Sequence, residues 1–188
     1  VGDHVFKWTG DYTGPGVVRG HAVLPSGKVR YLVGHRIDGG DGEFLHQLET
    51  EREVKGLGLE IDAANINRAI AAGLNIIEQD LDKGLSNFRD QSFDTVVMAH
   101  ALQAVRAPDL VLEEMLRIGR ECIVTFPNFG HWRCRVFLGT RGRMPVSRFM
   151  PHNWYDTPNI HFCTVRDFEN LCRERGIRIL HRDMVGPD

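Results

Sequence analysis

The chain has 188 residues, of which 42% are hydrophobic and 26% charged, with a formal net charge of −2; this suffices for one domain with a hydrophobic core and excludes two of ordinary size. So small a net charge gives no general attraction to nucleic acid or to an anionic membrane, and no apolar run reaches the roughly 18 residues that a membrane helix needs. The N-terminal stretch also lacks the layout of a signal peptide, so a cytoplasmic protein is expected.

Residues 1–42 hold ten of the twenty glycines and only four acids, Asp3, Asp11, Asp38 and Asp41. No helical period runs through them. The one strand they predict is Val29 to Val33, with turns at "TGPG" and "PSG". From Glu43 the pattern becomes regular. "GEFLHQLETEREV" places Phe44, Leu45 and Leu48 on one face of a short helix. "VKGLGLEID" (54–62) predicts a buried strand ending in acids, and "AANINRAIAAGL" a helix closed by Gly73.

"NIIEQDL" and "SFDTVVMAHAL" are the next strands. "PDLVLEEMLRIGR" predicts an amphipathic helix opened by Pro108, with Leu112, Met115 and Leu116 spaced for burial. "ECIVTFPN" is a strand halted by Pro127, and "TVRDFENLCRERG" a helix with Thr164 as N-cap and Gly176 as terminator. "IRILHRDMV" is the last strand. Helix alternates with continuously apolar strand, which predicts an α/β domain whose mainly parallel sheet carries helices on both faces.

In such a sheet ligands bind at the carboxyl ends of the strands. The residues found there are the glycine loop Gly39–Gly42, Glu60 with Asp62, Asp80 with Asp82, and His100 with Gln103. A glycine loop entering a helix offers unpaired backbone N–H groups, although glycines also serve plain turns. Glu60 follows Gly42 by 18 residues, the placement of an acid that accepts hydrogen bonds from a ribose. The pattern points to an adenosine-type ligand.

The order "GDG", "GLEID", "EQDLD", "SFDTVVM" is similar to the Rossmann-like class I S-adenosylmethionine methyltransferase fold. The later strings "TFPNFGHWRCR", "RMPVS" and "WYDTPNIHFCT" closely resemble the MetW family of methionine biosynthesis proteins, and the resemblance runs from about Gly40 to about Arg182. It implies S-adenosylmethionine as cofactor. Gly40 and Gly42 would face its methionine end, Glu60 its ribose, and Asp80 with Leu81 its adenine, with Asp38, Gly39, Asp41 and Ile61 also among the residues that bind it, while His100 and Gln103 would lie where sulfonium and acceptor meet. It also implies a homoserine O-acyltransferase as partner, which the protein would support or regulate.

The chain departs from the methyltransferase pattern at its first motif. Aligned without a gap, Arg36 stands where the strand's acid belongs and Asp38 where the first glycine belongs, and "VGHRI" makes a poor buried strand because His35 and Arg36 would need partners inside the sheet. The expectation is an atypical N-terminal segment at residues 1–38, non-native or disordered, followed by a methyltransferase-like domain at 39–188, with cofactor binding weakened.

Between Glu121 and Asp156 there is no acid, while Arg133, Arg135, Arg141, Arg143 and Arg148 interleave with Trp132, Phe137 and Phe149. This stretch is either a solvated basic flap or a surface for an acidic protein partner; the near-neutral chain argues against nucleic acid. Pairing His131 with Cys134, or His161 with Cys163, matches no common zinc spacing, so no metal is expected. Cys122, Cys134, Cys163 and Cys172 form no C-x-x-C pair and are expected to be reduced thiols. Two function classes follow: a binding scaffold for the acyltransferase, and an S-adenosylmethionine-dependent methyltransferase whose only evident general base is His100.

Overall fold

A computed structural model describes residues 5–10, 30–35, 43–52, 55–146 and 151–184. Seven strands form one sheet in the order β4-β3-β2-β5-β6-β1-β7, with every neighbouring pair parallel. They are β1 (Val5–Gly10), β2 (Arg30–His35), β3 (Lys55–Glu60), β4 (Ile76–Glu78), β5 (Phe93–Ala99), β6 (Gly119–Phe126) and β7 (Arg178–Met184). The helices are α1 (Glu43–Arg52), α2 (Ala63–Ala71), α3 (Pro108–Ile118), α4 (Trp132–Arg141) and α5 (Val165–Glu174).

The strand interiors are apolar on both sides, because each side meets a helical layer. On β5, Val96 and Met98 enter one core and Val97 the other; on β6, Cys122, Val124 and Phe126 face the first and Ile123 the second. The larger core takes Val111, Leu112, Met115, Leu116 and Ile118 from α3 and Phe168 and Cys172 from α5. The smaller one takes Leu45 and Leu48 from α1 and Ala69 from α2. Glycine at 56 lets α1 lie directly on β3, since a Cβ there would overlap the Leu45 side chain, and a Cβ at 58 would overlap the Ile76 side chain of β4.

The caps anticipated from sequence form. Thr164 and Asp167 make a reciprocal capping box on α5, Pro108 opens α3, and Gly73 and Gly176 take left-handed conformations at φ 81° and 66°. The strand expected at Val29–Val33 runs from Arg30 to His35 and occupies the middle of the sheet, with Val33 opposite Gly58 on β3 and Val97 on β5. The reading of "VGHRI" as unfit for this place is thereby corrected as far as His35, which pairs with Ala99. A parallel ladder is made by main-chain groups, and His35 is the strand's last residue, where the sheet opens. Two elements were not anticipated: β1, inserted between β6 and β7, and α4.

The chain runs β2, β3, β4 toward one edge of the sheet, then returns to add β5 and β6 on the other side of β2. The reversal leaves a crevice above the carboxyl ends of β2 and β5. His35 and Ala99 mark its floor.

Candidate functional site

On the β3 side of the crevice Glu60 ends its strand with its side chain only 4% exposed. One carboxylate oxygen, Oε1, accepts the backbone N–H groups of Ile61 (2.7 Å) and Asp62 (3.0 Å), and Oε2 accepts Asn65 Nδ2 (3.2 Å). A carboxylate has about four acceptor sites. Three are filled by the protein, so the buried charge is satisfied and Oε2 retains one site for a further donor. The next acid, Asp62, caps α2 by accepting from Ala64 N and Asn65 N at 2.9 and 3.0 Å. Thus the two acids of "LEID" divide the work: Glu60 fixes the turn and Asp62 starts the helix.

Asp80 sits beside Glu60 in the adjoining strand end, because Gln79 N donates to Glu60 O at 3.0 Å. It accepts from Asp82 N at 3.0 Å and opens a single 3-10 turn that buries Leu81 to 8% exposure. Asp82 in turn accepts Arg106 N at 2.7 Å, tying this corner to the loop after β5. Ile61 is exposed and available to flank a flat ligand.

Across β2, His100 follows β5 in a left-handed conformation, φ 51°. Its N–H donates toward Thr125 Oγ1 (3.0 Å) and Thr125 O (3.2 Å), and its carbonyl accepts Gln103 Nε2 at 2.9 Å. A non-glycine residue pays roughly 1 kcal/mol for that conformation, and these bonds hold it. The strain alone does not mark a site, since Gln91 shares it, φ 54°, in a surface turn. What distinguishes His100 is its place at the reversal of the sheet. Gln103 is 5% exposed, and its Oε1 has no hydrogen-bond partner among the described residues. An unpaired buried acceptor costs about 1–3 kcal/mol, so Gln103 presents an acceptor to whatever donor enters.

The segment after β6 folds over this end of the sheet. Gln103 O accepts both Ile160 N (2.8 Å) and His161 N (3.0 Å), and Cys163 O accepts Phe129 N at 3.1 Å. Phe129 and Phe162 pack with ring centroids 5.2 Å apart. Sequence reasoning placed Gln103 beside the ligand but missed that its main chain anchors this cap; two residues 57 apart in sequence carry no local signal of pairing.

The structure therefore brings Glu60, Ile61, Asp80 and Leu81 together, and sets His100 and Gln103 opposite them across β2. The loop residues Asp38, Gly39, Gly40, Asp41 and Gly42 lie outside the described residues. Of the paired His and Cys residues, His131 Nδ1 accepts Arg133 N at 3.3 Å as the cap of α4, and His161 Nε2 lies 3.2 Å from Arg106 O. No group of three or more His, Cys, Asp or Glu that could hold a metal occurs among the described residues. Burial raises the Cys163 thiol to about 12 and the Cys172 thiol to about 11, and pushes Cys122 higher still, so these sulfurs are packing groups rather than nucleophiles. No helix among the described residues is long and apolar enough to cross a membrane.

Comparison with known proteins agrees with this architecture. The chain resembles an S-adenosylmethionine-dependent methyltransferase from Archaeoglobus fulgidus, with a TM-score of 0.59 and 19% identity, over 81% of this chain and 62% of that one. It resembles another from Mesorhizobium loti, with a TM-score of 0.58 and 19% identity, over 81% and 76%. At such identity the likeness establishes the Rossmann-like methyltransferase fold. Against curated sequences the chain is 32% identical over 149 residues to the bifunctional methionine biosynthesis protein MetXA/MetW of Rhodopirellula baltica. The match covers 74% of this chain and 24% of that protein, so the chain spans about a quarter of its relative's length. The family model described as methionine biosynthesis protein MetW matches residues 30–186, starting ten residues before the resemblance at Gly40 and taking in the central strand β2. The chain belongs to the MetW family.

Proposed function

We propose that this protein acts in methionine biosynthesis as a binding partner of a homoserine O-acyltransferase, on a fold that holds S-adenosylmethionine. The observation that carries this reading is the Rhodopirellula relative, in which a MetW part is joined to a MetXA part in one chain. A covalent link raises the effective concentration of two modules to the millimolar range. Such a fusion is of use where the unlinked parts also work in contact.

The strand ends fit an adenosyl ligand. Glu60 Oε2 has one acceptor site for a ribose hydroxyl, Asp80 and Leu81 flank the adenine, and Ile61 covers one side. Asp38, Gly39, Gly40, Asp41 and Gly42 take the methionine end, and His100 with Gln103 closes the far wall. The cofactor, when bound, supplies an electrophilic methyl group on a positively charged sulfur. The residues themselves bind and orient it, and the cap over β5 and β6 keeps water away. In the scaffold reading the same site senses S-adenosylmethionine as the pathway's downstream signal.

A second reading, methyl transfer to an acceptor, is favoured by the placement of His100 at the crevice in a conformation that its neighbours must enforce. Both are tested by purifying the chain with the homoserine O-acyltransferase of the same genome, and by calorimetry with S-adenosylmethionine. A stable complex with altered acyl transfer, and cofactor bound without turnover, is the expected result. Methyl transfer to a small acceptor with no complex formed would reverse the order.

A further inference from the structure

Helix α4 follows β6 and buries none of its ten residues. Trp132 and Val136 are 62% and 54% exposed and, four residues apart, lie on one face. Gly139 continues that face, and a Cβ placed there would meet nothing within 4 Å. Arginines border it. Arg133 lies with its guanidinium 5.5 Å from the Trp132 ring centre, and neither it nor Arg135, Arg141 or Arg143 forms an ion pair with a described residue. Arg117 by contrast pairs with Glu114 and Asp90, and Arg175 with Asp109 and Glu113.

A stretch of 34 residues without an acid, in a chain of net charge −2, holds five arginines, of which Arg133, Arg135 and Arg141 lie on α4 and Arg143 just after it. Exposed tryptophan with unpaired arginine is the composition of an interface centre rather than of a solvated face. Charge complementarity fixes the chemistry of what covers it: an apolar groove edged by carboxylates.

We infer that α4 is the surface on which the acyltransferase subunit docks, with Trp132 and Val136 in its groove and Arg133 and Arg135 against its acids. The inference rests on the proposed function, which supplies the partner; the structure supplies the face. It also leaves the crevice open to cofactor, since α4 follows β6, three places along the sheet from the β3 end that carries Glu60.

The test is calorimetric titration of the full chain with the homoserine O-acyltransferase of its genome. Four proteins are compared: wild type, Trp132→Ala with Val136→Ser, Arg133→Glu with Arg135→Glu, and Arg89→Glu as a distant charge reversal. Each α4 pair should weaken binding by about tenfold or more, and the arginine pair should also flatten its salt dependence, while Arg89→Glu changes neither. Acids in the first turn favour a helix, so loss of binding by the arginine pair is not loss of α4, and circular dichroism verifies it. Wild-type binding with both pairs within about twofold of it places the docking face elsewhere and overturns the inference while the proposed function stands. Absence of wild-type binding overturns both. Sedimentation of the chain alone covers the remaining occupant: self-association abolished by the α4 pairs, with acyltransferase binding intact, assigns the face to a second copy and overturns the inference.

Discussion

Helices α3 and α4 are almost equal in length and opposite in use. The eleven residues of α3 bury Val111, Leu112, Met115, Leu116 and Ile118, whereas the ten of α4 bury none. Their sequences contain the reason. In "PDLVLEEMLRI" the apolar residues recur at helical spacing and form a stripe. In "WRCRVFLGTR" Val136, Phe137 and Leu138 are consecutive, so they point three ways and form no broad stripe of the kind that seats α3 on the sheet. Topology completes the explanation: α3 connects β5 to β6 and must cover the sheet, while α4 lies in the longer connection from β6 to α5 and buries none of its own residues. Apolar residues that the fold does not need are free for a partner.

The sharpest way to break this comparison is to truncate one side chain in each helix. Leu112, wholly buried, should lose about 2–5 kcal/mol on replacement by alanine. Val136→Ala should stay within about 0.5 kcal/mol. Urea unfolding of the two variants measures both. Were Val136→Ala to cost as much as Leu112→Ala, α4 would be core, and the docking face would lose its basis.

A smaller effect is expected at the β3 strand end. Replacing Glu60 by alanine strands the N–H groups of Ile61 and Asp62 and the amide of Asn65, and should cost about 1–3 kcal/mol together with affinity for S-adenosylmethionine. Because that variant mixes stability with binding, Asn65→Ala separates them. It removes one donor from Oε2 and leaves the carboxylate in place, so cofactor affinity should hold or rise while stability falls slightly. Lost affinity in Asn65→Ala would mean that the pair binds as a unit, and that Glu60 has no spare acceptor.

Much of this was legible in the sequence, for identifiable reasons. The strand at 54–62 was expected within two residues of Lys55–Glu60, since glycine and leucine alternate there and acids end it. Thr164, Pro108, Gly73 and Gly176 announced their roles because caps are local chemistry. Strand β1 was missed: "VFKWTG" has neither an apolar run nor clean alternation, and its place between β6 and β7 is decided by pairing with residues more than a hundred positions away. The α4 stretch was read as a basic flap or a partner surface, and not as a helix, because burial periodicity is the usual sign of a helix, and an exposed helix has none. At the site, residue types at strand ends were legible, whereas the way Glu60 spends its acceptors and Gln103 anchors the cap depends on contacts that only the fold creates.

The smallest effect expected separates the two helix starts that flank the cap. Helix α4 begins on the His131 ring, and α5 on a capping box in which Asp167 Oδ2 accepts both the Thr164 N–H and its hydroxyl at 2.8 Å. The Thr164 backbone N–H, and after it the hydroxyl, hold the Asp167 carboxyl below its ordinary value of 3.8. A group depressed in the folded state stabilises fully above its unfolded value and loses that contribution as pH falls through the folded one. Asp167→Asn should therefore cost roughly 0.5 kcal/mol at pH 7, and the gap from wild type should close in acid, below the usual aspartate value, where Asp167 is itself neutral. Comparing the two proteins at each pH cancels the acid sensitivity they share, so urea midpoints at neutral and acid pH decide the matter. A gap that persists unchanged into strong acid would show that the charge of Asp167 does not hold the start of α5, leaving α4 and α5 distinguished by burial rather than by a charged cap.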